Sequence, residues 1–293
     1  MNKPIMKEYE VVDGNCIIRY EYRPSLTGRT QFTIRMNSPF HEGMVSDINR
    51  CVTLWLDSVT ENNLGEYTSK TAELVRNIRP RGGPLLRVGE KGLRADCTYR
   101  YLPMKAKGPG LVVEVARSQT TKRLRKKAKE YIQESDGNIR TVLGLDFSGT
   151  YNTWGKIRDQ WDRTDTPQRG PACVFVWRAV FNRETGQVSL DDKGQPKITE
   201  SMHVFCNEDG EANPDERVCL KVQDFIPETV LRDQNINRKR DLRGAELFID
   251  SSTFMSYYHT CLEEQKIFDD EDKPGRELEE ANRNAKKEKA MAR

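Results

Sequence analysis

LRADCTYRYLPMKAKGPGLVVEVARSQTTKRLRKKAKEY, residues 93–131, is the stretch that decides how this chain folds. Leu93, Ala95, Cys97, Tyr99 and Tyr101 alternate with Arg94, Asp96, Thr98 and Arg100. That period of two predicts one strand over 93–101 with Asp96 pointing away from the apolar face, toward a polar surface or cleft. MKAKGPG is the connection, and LVVEVA at 111–116 is apolar on both faces except at Glu114. A run of that kind predicts a central strand covered on both sides. A carboxylate inside it is costly unless it is paired, hydrogen-bonded or metal-bound. Two readings of Glu114 stay open at this point, a metal ligand or a partner of a Lys or Arg in a buried network.

A helix follows, opened by Gln119, Thr120 and Thr121, with Leu124, Ala128, Tyr131 and Ile132 as its apolar stripe. Lys127 lies three residues after Leu124 and four before Tyr131, beside that stripe, where its ammonium can reach the end of the sheet. Lys122, Arg123, Lys126 and Lys129 point toward solvent. They form either a solvated face or a face for phosphates. RTVLGLDF at 140–147 is the next strand, and a strand–helix–strand passage of this length fits a right-handed crossover.

Working outward, CIIRYEYR at 16–23 and QFTIRM at 31–36 read as a hairpin turned by PSLTGR. NSPFHEG reads as a loop. Met44 to Val59 has helical spacing from about Gly43, with Trp55 in the core and His41 just ahead of it as a loop or cap residue. Residues 66–79 are ambiguous, PRGGP at 80–84 reads as a turn, and Leu85 to Val88 as a short strand. Residues 148–171 read as a long loop or short helix. ACVFVWRAVFN at 172–182 reads as an apolar strand with Ile198 to Cys206 pairing back on it. Leu220 to Val230 is mixed, INRKRDLRG is basic, and Ala245 to Phe268 has helical spacing. The end, from Asp269 to Arg293, is charged with both signs and reads as a solvated helix or disordered tail.

At 293 residues and 36% hydrophobic, the chain has enough apolar content for one large core with appendages. The net charge of +3 leaves partners undecided, but Arg117 to Lys129 holds seven basic residues and no acid. No run reaches the roughly 18 apolar residues of a membrane span, and the N-terminal stretch lacks a signal-peptide core. The expectation is an intracellular protein, cytoplasmic or nuclear, without membrane attachment. Seven scattered cysteines with no CxxC, and three histidines far apart, argue for reduced thiols and against a zinc site.

The run LRADCTYR…GPGLVVEVARSQTTKRLRKKAKEYI…IRTVLGLDF resembles the PD-(D/E)XK nuclease superfamily, and within it the Uma2-like branch, over roughly residues 40–182. The resemblance places the family's first acid on Asp96, after Ala95 rather than a proline, and its second on Glu114. The "EV-x-S" element falls on Glu114 to Ser118, with the serine one place late, and the helical "K…Y" pair on Lys127 and Tyr131. The superfamily lysine two residues beyond the second acid is Ala116 here, and Lys127 would replace it.

What this resemblance implies is an α/β fold, a mixed α+β sheet with a restriction-endonuclease-like core. The division would be an N-terminal hairpin (1–40), the core (41–206), a C-terminal extension packed on it (207–268) and the tail (269–293). One or two Mg²⁺ or Mn²⁺ ions would be held by Asp96, Glu114 and the Val115 carbonyl, with Lys127 catalytic. Gln119, Lys122, Arg123 and Lys126 would bind DNA, and Glu61 or Glu66 would complete the metal site. The implied function is hydrolysis of DNA phosphodiester bonds. The alternative is an inactive nuclease fold that binds nucleic acid or protein.

Overall fold

A computed structural model describes residues 10–13, 16–23, 31–36, 38–62, 67–89, 91–102, 108–182 and 184–271. In chain order the elements are β1 (Glu10–Asp13), β2 (Cys16–Arg23), β3 (Gln31–Met36), α1 (Pro39–Glu61), α2 (Ser69–Arg76), β4 (Ile78–Gly82), β5 (Leu85–Val88), β6 (Lys91–Arg94), β7 (Cys97–Tyr101) and β8 (Leu111–Ala116). They continue with α3 (Thr121–Glu134), β9 (Thr141–Asp146), α4 (Ser148–Thr164), β10 (Ala172–Ala179), β11 (Ile198–Cys206), β12 (Arg217–Lys221), a 3-10 turn (Val222–Phe225), α5 (Glu228–Asp233), α6 (Arg238–Asp241), β13 (Glu246–Asp250) and α7 (Ser251–Glu271). The fold is mixed α/β. Among the described residues no helix is long and apolar enough to cross a membrane.

Two compact units emerge. One holds the described residues up to Glu42 and from Glu264 onward, and the other is Gly43–Glu263. In the first unit β1, β2 and β3 form an antiparallel sheet, with the expected pairing of 16–23 against 31–36. The turn PSLTGR and most of the charged tail lie outside the described residues.

The second unit is built on a six-stranded sheet ordered β11-β10-β9-β8-β7-β4. Only β8 and β9 are parallel, joined over α3, and every other pair is antiparallel. Leu124, Ala128, Tyr131 and Ile132, the stripe read from the sequence, are all buried. They pack on Val112, Ala116, Val142, Phe175 and Trp177. Gly144 on β9 permits this packing, because a methyl group there would lie 2.5 Å from the Trp177 ring. Glu200 on β11 accepts from Trp177 Nε1 at 2.8 Å and Arg125 Nε at 3.0 Å, tying α3 to the edge strand.

Five expectations are corrected. NSPFHEG is not a loop: α1 begins at Pro39, because Ser38 Oγ accepts the His41 N–H and proline suits the first helical position. PRGGP is not a turn up to Gly82: β4 carries Pro80 against Tyr99, which an edge strand tolerates. Residues 148–164 are a full helix whose buried stripe, Thr150, Ile157 and Trp161, is too sparse to read as amphipathic. Residues 246–250 are a strand, since a short apolar run satisfies either period. Finally, 93–101 is not one strand. It breaks at Ala95–Asp96, where β6 leaves to pair with β5 while β7 stays in the large sheet.

The segment after residue 206 packs closely on the strands before it. Gly110 is required where the chain enters β8, because a methyl group there would meet the Phe225 carbonyl oxygen at 2.2 Å. Phe225 also meets the rings of Tyr99 and Trp55, and Phe254 on α7 stacks on Phe147 and Phe205.

Candidate active site at a strand fork

The break at Ala95–Asp96 creates the site. Pairing between β7 and β8 ends at Cys97 opposite Val113, yet β8 runs on through Glu114, Val115 and Ala116, still paired to β9. The chain at 95–96 is held away by Ala95 N–H on the Pro84 carbonyl at 3.2 Å and Gly83 N–H on the Asp96 carbonyl at 3.0 Å. One edge of β8 is thereby released from strand pairing. Asp96 Oδ2 fills that role, accepting the Val115 N–H at 2.8 Å. The N–H and C=O of one strand residue face the same neighbouring strand, so the Val115 carbonyl leaves β8 on this edge too. Asp96 thus turns into the fork.

Glu114 shares its face of β8 with Val112 and Ala116, directly beneath α3, and is 1% exposed. Both carboxylate oxygens have donors: Lys127 Nζ lies 2.6 Å from Oε2, and the Tyr131 hydroxyl lies 2.7 Å from Oε1. Lys127 also donates to the Arg94 carbonyl at 2.7 Å, which ties α3 to the end of β6. Residues 127 and 131 are one helical turn apart, so one face of α3 delivers both donors to one carboxylate. Burial pushes the Glu114 carboxyl up to about 7; the Lys127 charge opposes this, and the nearby Asp96 charge adds to it. The two acids and the lysine therefore form one electrostatic unit.

The other expected residues are placed less tightly. Gln119 is half-buried in the β8–α3 loop; Lys122, Arg123 and Lys126 are exposed on α3. Glu61 is exposed at the end of α1, and Glu66 lies outside the described residues. Among the described residues, no three His, Cys, Asp or Glu side chains converge as a metal-holding group. Two carboxylates and a carbonyl nonetheless suit a hard cation, since Mg²⁺ is commonly held by one or two carboxylates with water and substrate phosphate completing its shell. Cys51, Cys97, Cys173, Cys206, Cys219 and Cys261 are free thiols. Burial pushes Cys97 and Cys206 up to about 11 and Cys173 up to about 12, which keeps them protonated and unreactive at neutral pH.

A second buried network escaped the sequence reading. Asp224 is 1% exposed and accepts from Arg178 Nε at 2.9 Å, Arg178 Nη2 at 2.9 Å, Thr141 Oγ1 at 3.0 Å and the Lys221 N–H at 2.9 Å. Beside it, Glu228 is shared between Arg140 and Arg238. One signal was available: Arg178 interrupts the apolar run ACVFVWRAVFN just as Glu114 interrupts LVVEVA. Comparison with protein-family models, with curated proteins and with solved structures returned no match.

Proposed function

We propose that the chain is a PD-(D/E)XK-type, restriction-endonuclease-like protein that hydrolyses DNA phosphodiester bonds with Mg²⁺ or Mn²⁺. One observation carries this reading. Asp96 from the break between β6 and β7, Glu114 from β8 and Lys127 from α3 bring two carboxylates and an ammonium to one strand fork. The order of elements also supports it: an antiparallel strand following the first acid, a strand bearing the second, then a helical crossover to a parallel strand.

Asp96, Glu114 and the Val115 carbonyl would hold the ion, which when bound polarises the scissile phosphate and lowers the pKa of a water. Lys127, 15% exposed and anchored on two oxygens, presents a fixed cation to charge building on the phosphate. Tyr131 fixes the Glu114 rotamer. The exposed cations Lys122, Arg123 and Lys126 grip the backbone without reading bases, and Gln119 lies at the base of α3 for a substrate contact.

A second reading has its own support. Both Glu114 oxygens are already hydrogen-bonded, as a purely structural Glu–Lys–Tyr network requires. In that case the fold binds nucleic acid or protein without cleavage. Plasmid and single-stranded DNA incubated with the protein in Mg²⁺ and in Mn²⁺, beside Glu114→Ala and Lys127→Ala, separate the two. Cleavage lost in both variants supports the nuclease. Absence of cleavage with salt-sensitive DNA binding that survives Glu114→Ala supports the binding protein and sinks the enzyme.

A further inference from the structure

A cavity of about 380 Å³ opens between the start of the 3-10 turn and the α6–β13 connection. Lys221, Arg238, Lys239 and Arg243 line it, against one carboxylate, Glu246. That carboxylate is taken by Lys221 Nζ at 2.8 Å. Arg238 bonds Glu228, but Glu228 also serves the buried Arg140, so two guanidiniums share one carboxylate and a positive charge is left over. Among the described residues neither Lys239 nor Arg243 is in an ion pair, and both are exposed. The cavity thus carries a surplus of positive charge held in a concave site, where it is screened less than on a flat surface. Its apolar side is Val222, fully buried, and Leu242, half-buried. Gly244 turns the rim at φ +74°, and a side chain there would meet nothing, which marks the open mouth.

We propose that this cavity binds a phosphate monoester, with the dianion on Lys239, Arg243 and Arg238 and the organic ring over Leu242. The volume lies in the range of small-molecule sites, and two arginines with a lysine supply the charge-assisted donors that a phosphate takes. The same chemistry is offered by a free mononucleotide and by the 5′-phosphate end of a nucleic-acid strand. The site is independent of cleavage at Glu114.

The test is calorimetric titration of the full chain with AMP, adenosine, and 5′-phosphorylated and 5′-hydroxyl oligonucleotides. Variants are Lys239→Ala/Arg243→Ala and, as a control on α4, Lys156→Ala/Arg163→Ala, both exposed. AMP is expected to saturate while adenosine does not, and the cavity variant is expected to weaken AMP at least about tenfold, as loss of charge-assisted bonds requires. The α4 control is expected to leave AMP affinity unchanged. Preference for the 5′-phosphorylated oligonucleotide identifies a strand end; equal binding of the two oligonucleotides identifies the free mononucleotide. Failure of AMP to saturate, or equal AMP affinity in wild type and cavity variant, overturns the proposal. Arg243→Glu alone supplies the same readout should the double variant unfold at lower temperature than wild type.

Discussion

Two buried carboxylates, Glu114 on β8 and Asp224 in the 3-10 turn bonded to β9 and β10, are treated differently. Asp224 accepts four hydrogen bonds, two of them from a guanidinium that is charged at every accessible pH. Glu114 has two donors, a lysine and a hydroxyl, and a second acid beside it. Asp224 has no capacity left for another ligand, whereas Glu114 retains a free lone pair on each oxygen and a carboxyl pushed up to about 7. Saturation by fixed donors is what a structural carboxylate needs. Incomplete satisfaction beside a second acid is what a reactive one needs. Near-equal burial therefore says little, and the identity and number of the donors says more.

The largest effect should come from Asp224→Ala. It strands Arg178 and removes the acceptor that links β9, β10 and the β12 turn. Loss of one partner of such a pair costs about 3–5 kcal/mol. Urea unfolding checks this, and on the proposed metal-dependent reading magnesium affinity per folded molecule should match that of wild type. A stability loss well under 1 kcal/mol would break the contrast from the structural side.

Next comes the pH dependence at Glu114. Its carboxyl titrates at about 7 in the fold against an ordinary value of 4.5, mainly through burial. The folded state therefore binds the extra proton between those values. The stabilisation is fully present below pH 4.5 and is lost as pH rises through about 7. The loss is on the order of 3 kcal/mol by linkage. Glu114→Gln should flatten this slope, seen by comparing urea midpoints of the two proteins across that window. Metal affinity should run the other way, rising with pH through about 7 as the carboxylate frees itself of its proton. An unchanged slope in Glu114→Gln would show that Glu114 does not titrate in this window.

These two networks were unequally legible. Glu114 stood out because an acid in a strand apolar on both faces has no cheap explanation, and helical spacing then singled out Lys127 and Tyr131 as the residues able to reach it. Asp96 was identified on the face away from the apolar side, but the strand break that turns it into the fork was not. Alternation continues smoothly through Ala95 while the chain switches sheets there, a change set by pairing with β5 and not by the local pattern. Asp224 lies in an unremarkable mixed segment, 46 residues from Arg178 and 83 from Thr141. Its role is a product of tertiary packing that no local window contains. The helix over 148–164 was read as no more than a long loop or short helix for a related reason: its buried stripe is only Thr150, Ile157 and Trp161.

The smallest effects give the sharpest comparison, because each network includes one hydroxyl that can be deleted. Tyr131→Phe removes one of two donors to Glu114, and Thr141→Val removes one of four to Asp224. The first leaves a buried oxygen with no donor and should cost about 1–3 kcal/mol near neutral pH. That cost should shrink on acidification, because a protonated Glu114 no longer needs the bond. It should also raise the Glu114 titration point, readable by NMR from the side-chain carbonyl shift, since the Tyr131 hydroxyl is one of the groups that hold it down. Thr141→Val should cost about 1 kcal/mol, by the same cost per bond, with no change across the same pH window, because the guanidinium and the Lys221 N–H still serve both oxygens of Asp224. If the two deletions respond alike to pH, Glu114 is no more responsive than Asp224, and the case for chemistry at the strand fork rests on Asp96 and Lys127 alone.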